Sequence, residues 1–360
     1  MVLRIIETRC AIRFLVGLSI LACAGIQATR ANAASCITQS QMTQAQRDEL
    51  ANTARTLLGQ IQTNNTQALR SDVIPSLAAN FDGIVSSVSH LQPLVQASAI
   101  TVDQLYLLDA QNDAGDAGTP SAAPVDFFCG SPLVAISFPA LPAGTYALAV
   151  VHATGVPHPQ QVSLILSKSA DGHWLLAGMF DKPMTEGGHD GLWYWVTARK
   201  YTHTKMNWNA WFYYRIATNL LDPLDFLSSP NLEKLQREAE QIRPTDLPGK
   251  TPMTFYAQGQ LITVSTIDTS TELGGLDLDV HYAPDPTQAA LLRDPMAARG
   301  QVTAVMGALL KMHPELQGAF HGIWVHADQG ASTLFALELP MNQIAGASNA
   351  PAVSSYTVSP

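Results

Sequence analysis

Several short stretches hold side chains whose types and spacing could do chemistry. Glu186-Gly187-Gly188-His189-Asp190 sets two carboxylates and an imidazole beside a pair of glycines, the groups of a proton shuttle or a metal site. The same residues suit a plainer task, in which the glycines make a turn and Asp190 caps a helix that starts near Leu192. In residues 276–282, Leu276, Leu278, Val280 and Tyr282 alternate with Asp277, Asp279 and His281. A strand sends alternate side chains to opposite faces, so the two aspartates and the histidine share one face. They are ligand types for Zn²⁺ or Mn²⁺, although a solvated strand face gives the same pattern. His321 and His326, five apart on a predicted strand, are expected on opposite faces, which argues against a shared metal. Trp193, Trp195, Trp208 and Trp211, with their tyrosine neighbours, could form a platform for sugars or a cage for quaternary ammonium groups. Packing between paired helices is the commoner use of such residues.

Other chemistry is absent or incomplete. The acidic run from Asp109 to Asp116 has the look of a calcium loop, but Gly115 falls one place late and Pro120 stands where the bidentate Glu should be. It reads as a solvated insertion. There is no GxSxG elbow, GxxxxGK[ST] loop, GxGxxG or HExxH in the 360 residues, so those named families are excluded and no cofactor is called for.

The elements that must position these groups follow from the rest of the chain. Arg4, Arg9 and Arg13 precede an apolar stretch from 14 to 26 and then Ala31-Asn32-Ala33, the order of a cleavable secretory signal over residues 1–33. The stretch is shorter than the roughly 20 residues of a membrane span, so no stable span is expected after cleavage. Ile20-Leu21-Ala22-Cys23 resembles a bacterial lipobox, and the alternative it implies is a lipoprotein anchored at Cys23. After cleavage Cys36 and Cys129 have only each other and are expected to form a disulfide. Removing Arg4, Arg9, Arg13, Arg30 and Glu7 from totals of 20 basic and 29 acidic residues leaves a net charge of −12. The scattered cations form no basic stripe, which excludes nucleic acid as a partner.

Helical spacing predicts helices over 41–64, with Thr43 and Gln46 as a capping box, and over 75–95. Strands are predicted at 102–108, 125–129, 133–138, 146–152, 161–167 and 174–180, as an antiparallel meander. Two helices followed by such a meander resemble the NTF2-like (cystatin-like) α+β fold over about 37–183, and the resemblance implies a pocket between helix and sheet. In 184–245 nine aromatics fall between Trp193 and Tyr214. There the spacing of Tyr194, Ala198, Tyr201, Ala210, Tyr214, Ala217 and Pro223 resembles one tetratricopeptide-like helix pair. Residues 246–344 read as a second α+β unit, with strands at 254–256, 261–267, 276–282, 320–326 and 333–339. Its helix over 296–312 is capped by Asp294. Residues 345–360 read as a disordered tail. The whole is thus an exported α+β protein, expected to be a non-catalytic module that binds a small molecule or a protein. The rival expectation is an exported lyase, isomerase or hydrolase using a pocket in the N-terminal domain or the Glu186/His189/Asp190 junction.

Overall fold

The structure is a computed structural model that describes residues 34–111, 121, 123–130 and 133–348. The signal segment, most of the acidic loop and the tail from 349 lie outside the described residues. The chain opens with β1 (Ser35–Thr38), then α1 (Gln44–Gln62). The capping box forms in both directions: Gln46 N–H donates to Thr43 Oγ1 at 3.3 Å, and Thr43 N–H to Gln46 Oε1 at 2.9 Å. Short helices α2 (Thr66–Ser71) and α3 (Pro75–Ala79) lead to α4 (Asp82–Val95). The one helix expected over 75–95 is therefore two, because Asn80 leaves helical space at φ −122°, ψ 52°.

Strands β2 (Ala99–Asp109), β3 (Val125–Cys129), β4 (Val134–Phe138), β5 (Thr145–Thr154), β6 (Gln160–Lys168) and β7 (Trp174–Pro183) follow. They do not form the single meander expected. The main sheet has the order β1-β2-β5-β6-β7, and β3 and β4 peel away into a second small sheet. The cause lies in β5, which is buried at every position from Tyr146 to Val151 and so needs cover on both faces. One face receives Leu50, Leu57, Leu58, Leu91 and Val95 of α1 and α4, packed on Ala147, Ala149 and Val151. Val125, Phe127, Ile136 and Phe138 cover the other, with Tyr106, Leu148 and Val150. A disulfide joins Cys36 on β1 to Cys129 on β3, with Cα atoms 5.0 Å apart.

A two-strand hairpin, β8 (Thr185–Glu186) and β9 (His189–Asp190), leads into α5 (Gly191–His203) and α6 (Asn207–Leu221). Strand β10 (Leu227–Ser228) joins the small sheet beside β4, and α7 (Pro230–Ile242) follows, capped by Ser229. This region thus has a third helix beyond the expected hairpin.

The last sheet has the order β11 (Met253–Ala257), β12 (Gln260–Ser270), β13 (Asp277–Ala283), β14 (Gly322–Gln329) and β15 (Ser332–Pro340). Between β13 and β14 the chain crosses over through α8 (Pro286–Leu291) and α9 (Pro295–Met312), so those two strands run parallel. One face of this sheet shares a core with α5, α6 and α9, including Tyr194, Phe212, Tyr214, Val280, Tyr282, Val302 and Val305. Helix α10 (Met341–Ser348) enters the stretch expected to be a disordered tail, and Ile344 is buried in that same core. Among the described residues no helix is long and apolar enough to cross a membrane.

Candidate functional site

At the junction, Gly187 and Gly188 have φ of +53° and +83°, the positive pair that a tight type I′ hairpin turn requires. Asp190 caps α5 by accepting Trp193 N–H at 2.8 Å. His189 lies exposed and stacks on Trp193, with centroids 3.6 Å apart and planes within 5°. Burial, and then the charge of Asp268, push the Glu186 carboxyl above the usual range. Among the described residues, Glu186, His189 and Asp190 do not form a group whose ligand atoms lie within 4.8 Å of one another.

The four tryptophans also part company. Trp193 is half exposed under His189. The Trp195 indole N–H donates to Glu238 Oε2 at 2.7 Å, and Arg199 lies over its ring. Trp208 is buried, stacks on His313 and donates to Asp246 Oδ1 at 3.0 Å. Trp211 is buried beneath Arg243. The indole N–H groups of Trp195 and Trp208 are thus satisfied within the fold, as packed tryptophans require.

The alternating strand gives a different result. The parallel register places Asp279 beside Trp324 and His281 beside His326, and side chains in register share a face. The Asp279 Oδ1 atom lies 3.3 Å from His281 Nε2 and 3.1 Å from His326 Nε2. The two imidazoles stack with centroids 4.4 Å apart. His281 Nδ1 meets Asp328 Oδ2 at 2.6 Å, and Asp328 in turn accepts the Thr333 hydroxyl at 2.7 Å. Burial opposes charge on His281, but the hydrogen bond to Asp328 and the charges of Asp279 and Asp328 outweigh it and raise its pKa. Burial lowers that of His326. Asp279 Oδ1 and His326 Nε2 are buried without a hydrogen-bond partner.

Asp277 belongs to a second group on the same sheet. It is 1% exposed, and its Oδ1 meets His321 Nδ1 at 2.9 Å, with Glu338 Oε1 3.9 Å from the same nitrogen. Strand β14 begins after His321, so simple alternation does not govern that side chain, and it turns to Asp277. His321 and His326 sit in separate groups. The expected trio of Asp277, Asp279 and His281 is therefore divided, with partners from β14 and β15 that the local pattern did not include. One signal for them was available: Trp324, His326 and Asp328 repeat the alternation of β13.

An open cleft of about 810 Å³ lies between the outer face of the main sheet, the small sheet and helices α5 and α7. Gln39, Gln41, Gln104, Gln161, Ser229 and Asn231 supply its polar lining, and Tyr106, Trp195, Leu221 and Leu232 its apolar surface. Among the described residues no Asp, Glu, Lys, Arg or His lines it. Gln161 Nε2 is buried there without a hydrogen-bond partner.

No protein-family model, curated protein or solved structure matches the chain.

Proposed function

We propose that this is an exported binding protein whose cleft takes an uncharged, hydroxyl-rich ligand of the oligosaccharide kind and does not transform it. The neutral lining carries this reading. Amide and hydroxyl groups beside aromatic rings can hydrogen-bond and stack with a sugar, whereas acid–base catalysis needs a side chain that titrates near the working pH, and burial pushes the Tyr106 hydroxyl in the lining further from neutrality. The disulfide is compatible with export, and the signal-like residues 1–33 supply the route.

Thermal unfolding with a panel of neutral oligosaccharides tests the reading. A ligand at 100 times its Kd should add about 2.7 kcal/mol to the unfolding free energy. Binding should respond little to salt, because no charge pair forms. Gln161→Leu and Asn231→Ala should each weaken it about tenfold, the worth of one hydrogen bond. A response confined to charged compounds, or affinity that collapses in salt, would overturn the proposal.

A further inference from the structure

We propose that Asp279, His281 and His326 form a three-ligand site for a divalent transition ion of the Zn²⁺ class, with Asp328 as the residue that orients His281. This goes beyond the cleft and does not depend on it.

Asp279 Oδ1 is buried between two imidazole nitrogens without a hydrogen-bond partner. Ligand bonds of about 2.0–2.1 Å place neighbouring donor atoms about 2.9–3.4 Å apart, between the octahedral and tetrahedral limits. The two contacts of Asp279 Oδ1, 3.3 Å to His281 Nε2 and 3.1 Å to His326 Nε2, fall inside that window. All three donor atoms lie within 4.8 Å of one another. The rings of His281 and His326 lie 11° from parallel, so binding one ion at both Nε2 atoms turns one ring about its Cβ–Cγ bond. His326 Nε2, 3.1 Å from Asp279 Oδ1, is buried with no hydrogen-bond partner.

Two further observations point the same way. His281, Asp328 and Thr333 form the chain of hydrogen bonds that fixes the tautomer and ring orientation of a ligating histidine. Among the described ion pairs, Asp277, Asp279, Asp328 and Glu338 meet only histidines, never Lys or Arg, so the face has negative charge to spare for a cation. Two imidazoles and one carboxylate select a borderline transition ion over Ca²⁺ or Mg²⁺, which take oxygen ligands. Three protein ligands leave coordination open for water or an exogenous anion.

Chelator-stripped protein titrated with Co²⁺ and Zn²⁺ tests the site. The expected result is one equivalent bound, with cobalt absorption in the visible, displaced by Zn²⁺ and unmoved by Ca²⁺. His326→Ala and Asp279→Asn should weaken binding at least 100-fold, and Asp328→Asn, which keeps all three ligands, 10- to 100-fold. His321→Ala, in the neighbouring group, should leave it unchanged. Circular dichroism separates lost binding from lost folding, and Asp328→Asn carries the test if a ligand variant fails to fold. Absence of binding to the wild-type protein, or binding lost with His321→Ala and kept with Asp328→Asn, would overturn the proposal.

Discussion

At Asp190 the side chain and the backbone settle what a carboxylate beside a histidine is for. Its oxygen accepts an amide at the start of α5, so Asp190→Ala should cost about 1 kcal/mol of stability. His189→Ala should cost under about 0.5 kcal/mol, as an exposed substitution does. Chemical denaturation of both variants checks this pair, and equal losses would contradict the capping role. Glu238 gives a prediction with a pH signature. Burial opposes its charge, but hydrogen bonds from Arg199 and Trp195 outweigh that and hold its pKa below the usual range. A carboxyl depressed in the folded state adds stability above its unfolded pKa of about 4.3, and that stability is lost as the pH falls through the folded value. Glu238→Gln should therefore cost about 1 kcal/mol at pH 7, after allowance for the half-exposed Arg199. The difference from wild type should shrink as the pH falls below about 4.3, which unfolding across that range measures. Roles of this local kind were legible in the sequence. The Thr43–Gln46 box and the Asp190 cap each link residues three apart, and such spacing is visible without a fold.

At the scale of elements, legibility depends on whether the partner is near in sequence. Strand β13 reads correctly from its own alternation, with Leu278, Val280 and Tyr282 buried. Its neighbour β14 pairs with it only after a crossover through two helices, so the grouping of His281 with His326 could not be seen in either segment alone. The same reason explains the lost meander. Strands β3 and β4 alternate as any half-buried strand does, and nothing local says that they cover the main sheet instead of extending it. The burial of β5 at successive positions was the available sign, since a strand with one wet face alternates. Helix α10 was missed because its Ala-rich, uncharged composition resembles that of a tail, while Ile344 anchors it in the core.

At the scale of the molecule, one covalent bond reaches the proposed binding region. Cys129, Gly130 and the turn after β1 all line the cleft, so the disulfide ties two of its walls. Replacing Cys36 and Cys129 together by serine should cost about 2–5 kcal/mol of stability. It should also weaken oligosaccharide binding at temperatures where the variant is still folded, which titration of the folded variant would show. Unchanged affinity would mean that the walls hold without the bond. Elimination among the cysteines after residue 33 yields the pairing, but only the structure shows that the pair borders a cleft.

The bond also imposes an order in time. Its cysteines are 93 residues apart, and β1 pairs with β2, whose last residue is Asp109. A chain grows from its N-terminus, so β1 is made first and must wait for the sheet edge that receives it and then for the thiol that locks it. Until residue 129 has emerged, the Cys36 thiol lacks its native partner. The first strand of the fold is thus locked only after β2 and β3 have followed it, and the yield of native protein should depend on how long that early thiol is kept from other partners.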